Sequence, residues 1–141
     1  MGGKKYILCA AVILIAVVLA SSVLPLDKTV HILADDEIAV GTDILEYKLL
    51  NLSLRTVYYG EPCRVEKLND NQWENVKVTM DNYAWNLWLG YAYPLTKSRQ
   101  DMVCYLPAYG ITEPGRYRLV KTIETGRKRK EHVICKEFTV V

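Results

Sequence analysis

Short runs of alternating apolar and polar residues dominate the sequence after residue 28, and turn-forming residues separate them. The run "KTVHILA" places Val30 and Ile32 on one face, and "DMVCYL" does the same with Met102, Cys104 and Leu106. A period of two residues is typical of half-buried β-strands, and we find no helical period in this part of the chain. The pattern predicts an all-β domain of seven or eight strands.

Turn chemistry divides these runs at regular intervals. The cluster "NDN", residues 69–71, separates "PCRVEKL" from "QWENVKV", and "GRKRK", residues 126–130, separates the last two strands. About 115 residues with this turn spacing are typical of an immunoglobulin-like sandwich. No repeat or low-complexity linker interrupts the sequence, so residues 27–141 are predicted to form a single domain.

The first 26 residues are of a different kind. The segment Ile7–Leu24 carries no charge and follows Lys4 and Lys5, which is the pattern of an export signal and predicts an N-terminal hydrophobic helix. Ala20 and Ser22 supply the small residues that a signal-peptide cleavage site needs.

Retention of the same segment as a membrane anchor is the alternative, because a spanning helix needs about 18 or more apolar residues. The positive-inside rule keeps the two lysines in the cytoplasm. We therefore expect either a single-pass membrane protein with an extracytoplasmic C-terminal domain or, after cleavage, a secreted one.

The charge balance changes once this segment is set aside. Lys4 and Lys5 account for the whole excess of 18 Lys and Arg over 16 Asp and Glu, so the exported part is formally neutral. This excludes a nucleic-acid binder, which needs a lasting positive field. The local run Arg127–Lys130 is interpreted as a solvated turn, with attraction to anionic lipid or wall polymers as the alternative.

Candidate catalytic residues are scarce. The two histidines, His31 and His132, stand alone on the first and last predicted strands, with no carboxylate at ligand spacing. No phosphate-binding loop, nucleophile elbow or metalloprotease motif occurs. The sequence predicts a non-catalytic domain without a cofactor or a metal.

The middle of the chain is rich in aromatic residues, which serve either as core or as a binding surface. Phe138 is the only phenylalanine, so Trp73 and Trp85 are interpreted as core residues. Candidate contacts with a protein or a cell-wall glycan are Trp88, Tyr91 and Tyr93, because such side chains give large amphipathic contact areas.

The string "ITEPGRYRL" predicts a corner. Pro114 and Gly115 form a tight turn, and Tyr117 enters the next strand. A tyrosine at this place can bury its ring while its hydroxyl bonds back to the corner, as in the tyrosine corner of Greek-key sandwiches. The alternative is an ordinary strand aromatic residue.

Three strings in this order, "YYGEPCRVEKLNDNQWENV", "AYGITEPGRYRLVKTI" and "CKEFTVV", resemble the bacterial Ig-like domains of exported Gram-positive proteins. The resemblance covers Thr29 to Val141. It implies a Greek-key β-sandwich of seven or eight strands and supplies no catalytic residues. We expect a non-catalytic interaction or envelope-associated module. A peptidase inhibitor on an Ig-like scaffold and a glycan-binding domain are the alternatives.

The resemblance also bears on the cysteines. Cys63 and Cys104 occupy positions where related domains place core apolar side chains, which suggests a disulfide across the core. Closing a loop of about 40 residues would add about 3–4 kcal/mol of stability in the chain-entropy model. The alternative is that Cys63, Cys104 and Cys135 are free thiols that pack as small hydrophobic residues.

Overall fold

The computed structural model describes residues 3–80 and 88–141. Within them lie one α-helix, two short 3-10 helices (Leu26–Lys28 and Leu106–Tyr109) and eleven β-strands. The helix is α1 (Gly3–Val23), and the strands are β1 (Val30–Leu33), β2 (Glu37–Ile38), β3 (Ile44–Asn51), β4 (Val57–Tyr59), β5 (Arg64–Asn69), β6 (Gln72–Val76), β7 (Gly90–Ala92), β8 (Thr96–Lys97), β9 (Met102–Tyr105), β10 (Gly115–Thr125) and β11 (Lys130–Val140).

The predicted N-terminal helix is present as α1, which contains no acidic residue in its first turn and no basic residue in its last. In the described ranges, no helix combines the length and the apolar character needed to cross a bilayer. Cleavage or retention of the segment stays a prediction.

The strands form two sheets that face each other. In the smaller sheet β3 is central, with β1 on one side and β8 and β9 on the other, all antiparallel. In the larger sheet the long β10–β11 hairpin is central. β11 pairs with β2 in parallel, and β10 pairs with β4 and β5, which continue to β7 and β6.

The expected number of strands was wrong. All seven clear alternating runs form strands, but β2, β4, β7 and β8 are additional short ones. The reason is that β4 and β5 both pair with β10, and β8 and β9 both pair with β3. Residues 60–63 and residues 98–101 leave the sheets at these points, so each divides one run of paired chain into two short strands.

The predicted alternation is confirmed by burial. On β3 the side chains of Leu45, Tyr47 and Leu49 are buried, and on β10 those of Leu119 and Ile123 are buried. These side chains fill the space between the sheets, which is how a sandwich removes apolar area from water.

Two of the predicted turns are present. β5 and β6 are joined by Asp70 and Asn71, both with positive φ (47° and 64°), as in a type I′ hairpin turn. Asparagine and aspartate tolerate this conformation better than other side chains with a Cβ atom. The β10–β11 hairpin turns through residues 126–129.

Trp73 is not a core residue. It lies on β6, half-buried, and the guanidinium Cζ of Arg118 is 4.5 Å from the centroid of its ring. The second tryptophan interpreted as core, Trp85, lies outside the described residues.

Candidate functional site

A lysine occupies the middle of the core. The inward positions of β10 continue from Leu119 to Ile123, and Lys121 lies between them with 0% of its surface exposed. A buried ammonium group is costly unless hydrogen bonds and compensating charge replace its water. The partners of Lys121 therefore decide what this part of the molecule can do.

The first partners lie at a break in the larger sheet. β10 pairs with β5 as far as Val120 and with β4 from Glu124 onward. Between these points the neighbouring chain, residues 60–63, leaves the sheet. Its carbonyl groups consequently have no strand partner in β10.

Lys121 bonds to these carbonyls. Its Nζ donates to the carbonyl oxygens of Gly60, Glu61 and Pro62, the last two at 2.9 Å. An ammonium group has three N–H donors and no acceptor, so all three donors are used. The lysine side chain closes the gap between β4 and β5 and fixes the loop that leads to Cys63.

Two thiols lie beside this ammonium group. Cys63 is half-buried and Cys104 is fully buried, and both are free thiols in the structure. Sγ of Cys63 is 4.0 Å from Oη of Tyr109, which donates to the Cys63 carbonyl oxygen at 2.9 Å. We call Lys121, Cys63, Cys104, Tyr109 and the neighbouring Tyr47 the lysine–thiol cluster.

The cluster shifts the pKa values of its members in opposite directions. A hydrogen bond from Cys104 lowers the pKa of Cys63, and the Lys121 charge acts in the same direction against burial. The pKa of Cys104 is raised because its thiol donates to Cys63 and is buried. Burial lowers the pKa of Lys121 to about 8.

Tyr47 completes the cluster. Its ring centroid is 5.8 Å from Nζ of Lys121. The hydroxyl is buried and makes no hydrogen bond with any described residue, and burial raises the pKa of Tyr47. A buried hydroxyl without a partner is uncommon and marks this region as polar space inside an apolar core.

A second candidate site lies on the outer face of the larger sheet. Tyr58 of β4 is directly opposite Tyr91 of β7. Tyr91 and Tyr93 are 40% and 51% exposed, and their ring centroids are 5.0 Å apart. Tyr91 and Tyr93 thus form an exposed ring pair next to the strand that carries Tyr58.

Arginines continue this face toward the β10–β11 turn. The Cζ atom of Arg129 is 3.8 Å from the ring centroid of Tyr58, which is close enough for a cation–π contact. A shallow depression of about 530 Å³ is lined by Arg55, Arg127 and Arg129 together with Tyr58. We call Tyr58, Tyr91, Tyr93, Arg55, Arg127 and Arg129 the tyrosine–arginine surface.

A buried asparagine supports this surface from beneath. The amide nitrogen of Asn51 lies 2.8 Å from the carbonyl oxygen of Arg55 and 3.0 Å from those of Ala92 and Tyr93. Its Oδ1 accepts hydrogen bonds from the backbone and hydroxyl of Ser53. The backbone on both sides of the surface is therefore fixed to the core.

The sequence-predicted contact residues do not lie together at the surface. Tyr91 and Tyr93 are exposed, whereas Trp88 is half-buried and packs edge-on against Tyr59, with ring centroids 5.8 Å apart. A Cβ atom on Gly90 would lie 2.5 Å from the Tyr59 ring and 2.7 Å from the Trp88 ring. Glycine at this position permits the packing of the two rings.

The Tyr117 side chain lies between the corner and the core. Its hydroxyl donates to the carbonyl oxygen of Glu113 at 3.0 Å, and its ring stacks on Phe138 at 5.9 Å. The predicted tight turn at Pro114 and Gly115 is wrong, because Gly115 with its φ of 158° is already the first residue of β10. The tyrosine thus ties the start of β10 to the preceding loop.

Comparison with known proteins identifies the family of the chain. The family model of the bacterial Ig-like domain matches residues 27–139. The chain belongs to the bacterial Ig-like domain family. No curated protein matches it. Among solved structures it is similar to the ASH / PapD-like domain of human CEP192 (PapD-like domain 7), with 15% identity, 83% of this chain and 85% of that chain covered, and a TM-score of 0.39.

This bacterial Ig-like domain offers little for metal binding in the part that is described. No group of three or more His, Cys, Asp or Glu side chains there lies close enough to hold an ion. His132 contacts the hydroxyl of Thr125 at 3.2 Å instead. The thiols of Cys63 and Cys104 lie beside a cation, which opposes a metal ion at the same place.

Sequence analysis missed Lys121 and Asn51, the residues on which both sites depend. The inward direction of Lys121 could have been predicted, because the alternation of Tyr117 and Leu119 on the inward face continues to Lys121. Asn51 was not indicated because two of its three acceptors lie about 40 residues away, and only the Arg55 carbonyl is close in sequence.

Proposed function

We propose that this bacterial Ig-like domain is a non-catalytic interaction module that binds an acidic segment of a partner protein through the tyrosine–arginine surface. The observation that carries the proposal is the stacking of Arg129 on Tyr58 beside a depression lined by three arginines. Tyrosine and arginine are enriched in protein interfaces, and guanidinium groups bind carboxylates through paired hydrogen bonds.

The shape of the surface favours a protein segment over a neutral glycan. The rings of Tyr91 and Tyr93 are tilted by 60° to each other, so they do not form the flat platform on which sugar rings stack. The depression next to them carries positive charge. Both features fit an acidic peptide that also presents apolar side chains to the exposed rings.

Ig-like domains are generally non-enzymatic, and the proposal extends this to the present chain. We also place the domain on the outer side of the cell membrane, because a basic start followed by an apolar segment is typical of export. The Greek-key connection belongs to the same proposal, since the chain passes from β3 to the larger sheet and returns at β8. Activity of a phosphatase reporter fused after Val141 tests the location.

The binding test uses the full chain, purified in detergent, and a phage-displayed library of random peptides. We expect selection of sequences rich in Asp and Glu. Affinity for a selected synthetic peptide should fall at least about tenfold in the Arg127→Glu/Arg129→Glu variant, because two attractive contacts become repulsive. Tyr91→Ala should weaken binding to a smaller extent.

Arg116→Glu is the matched control, because this exposed arginine lies at the opposite end of β10, paired with Glu137 at 2.6 Å. It should leave the affinity unchanged. Selection of peptides without acidic residues, or equal losses in both variants, refutes the proposal. Binding of a purified anionic wall polymer in place of the peptides would identify the glycan alternative. Peptidase inhibition stays a prediction that protease titration tests.

A further inference from the structure

The lysine–thiol cluster joins the two sheets. Cys63 directly precedes β5 of the larger sheet, and Cys104 belongs to β9 of the smaller sheet. Lys121 relates the two positions, because its Nζ bonds to the carbonyls of residues 60–62 directly before Cys63 and lies 5.8 Å from the ring of Tyr47, which pairs with Met102 two residues before Cys104. A covalent bond between Cys63 and Cys104 would link the two layers of the sandwich.

The two thiols differ in access. Cys63 lines a surface depression of about 330 Å³ together with Pro62 and Leu89, whereas Cys104 is completely buried. A reagent that enters from solvent therefore meets Cys63 first. Cys104 can react only with a group that is already attached to Cys63.

The charges around the two thiols also favour reaction at Cys63. The charge of Cys63 favours the protonated form of Lys121 more than that of any other group does, and the Glu61 carboxylate comes next. A buried cation stabilises a thiolate beside it. The thiolate is the nucleophile in thiol–disulfide exchange.

We propose that Cys63 and Cys104 form a redox-responsive thiol pair, in which Cys63 reacts with small organic disulfides and Cys104 then closes a disulfide across the sandwich. Lys121 is a positioning residue, because it fixes the loop before Cys63 and supplies the charge that favours its thiolate. The proposal does not depend on the tyrosine–arginine surface.

The steps balance with a disulfide of low molecular weight as the oxidant. The Cys63 thiolate attacks one sulfur of the reagent, whose S–S bond breaks, and one thiolate leaves and takes a proton from water. The Cys104 sulfur then attacks Cys63 in the mixed disulfide and gives its proton to the second leaving thiolate. Two protein thiols are oxidised by two electrons, and the reagent is reduced to two small thiols.

The test uses the full chain carrying Cys9→Ser and Cys135→Ser, incubated with oxidised glutathione. Mass spectrometry should show loss of two hydrogens and a peptide pair linked through Cys63 and Cys104. With Cys104→Ser added, a glutathione adduct should accumulate on Cys63. With Cys63→Ser added instead, Cys104 should stay unmodified. Absence of the linked pair, or an adduct on Cys104 formed as fast as that on Cys63, overturns the proposal.

The role of Lys121 is tested by the pH profile of iodoacetamide alkylation. The chain in this test keeps Cys63 and Cys135. The alkylation of Cys63 should have its midpoint at a lower pH than the alkylation of Cys135, whose pKa is raised by burial. Lys121→Met should move the Cys63 midpoint to higher pH, which a purely structural role would not do. A Cys63 midpoint at or above that of Cys135 in the unaltered chain contradicts the assignment, whether or not the variant folds.

Discussion

The two faces of β10 hold their cations in different ways. On the inner face, Nζ of Lys121 donates to three backbone carbonyls and lies beside the thiols of Cys63 and Cys104. On the outer face, three residues earlier, Nε of Arg118 donates to the Glu66 carboxylate at 2.6 Å, and its guanidinium lies over the ring of Trp73. One strand thus carries a buried cation held by backbone carbonyls and a partly exposed cation held by a carboxylate.

The two faces of β10 require different partners for a cation. At the outer face, Glu66 is largely covered (8% exposed), but the Arg118 guanidinium is partly exposed, so a pair of side chains is enough. At the inner face no water is available, and flexible side-chain acceptors would lose entropy on ordering. Backbone carbonyls of a bulging loop are already fixed, which makes them suitable acceptors for a buried ammonium group.

The largest effect is expected for Lys121→Met. Methionine retains most of the apolar stem but leaves three part-buried carbonyls without their donors, and an unsatisfied group costs about 1–3 kcal/mol when water cannot replace the donor. Removal of a buried charge offsets part of this cost. We expect the free energy of unfolding, measured in urea, to fall by about 3 kcal/mol.

Lys97→Met is the matched control, because Lys97 is exposed on β8 and its replacement should change stability by less than about 0.5 kcal/mol. A Lys121→Met variant as stable as the unaltered chain would show that the carbonyl contacts contribute no net stability.

The second prediction concerns Glu66 on the outer face. Burial raises the pKa of this carboxyl, but hydrogen bonds from Arg118 and Arg64 outweigh it and hold the pKa below its usual range. Glu66→Gln removes the charge from these bonds, and we expect a loss of about 1–2 kcal/mol at pH 7. This is smaller than the effect at the inner face.

The pH dependence identifies the cause of that loss. A carboxyl with a depressed pKa in the folded state binds fewer protons folded than unfolded just below pH 4.5, its ordinary value. Its stabilisation is therefore present above pH 4.5 and is lost as the pH falls through the folded pKa. The stability difference between the unaltered chain and Glu66→Gln should shrink in urea unfolding between pH 5 and pH 3. A constant difference would point to packing instead of charge.

The sequence predicted the long strands because their alternation is local information. The runs containing Val30, Leu45 and Met102 all form strands with the expected buried faces. The predicted number of strands was too small, because a strand ends wherever the chain leaves its pairing with the neighbouring strand. The breaks at residues 60–63 and 98–101 depend on β10 and β3, which lie far away in sequence.

The candidate sites were predictable only in part. Alternation within β7 places Tyr91 outward and Ala92 inward, and Tyr93 follows at the next outward position. Trp88 precedes the strand, so its direction depends on the contact with Tyr59 instead of on a period. For Lys121 the inward direction follows from alternation, but its acceptors in residues 60–62 belong to a loop about 60 residues earlier.

The smallest effect is expected at the tyrosine–arginine surface. Arg129→Ala removes the contact with Tyr58 and an exposed ion pair with Glu124 at 3.5 Å. Exposed cation–π contacts contribute about 0.5–1 kcal/mol, and exposed ion pairs contribute similar or smaller amounts. A double-mutant cycle with Tyr58→Ala, measured by urea unfolding, should give a coupling energy of about 0.5 kcal/mol. A coupling near 3 kcal/mol would mean that this surface is part of the folding core, because an interaction surface must allow its side chains to exchange internal contacts for those of a partner.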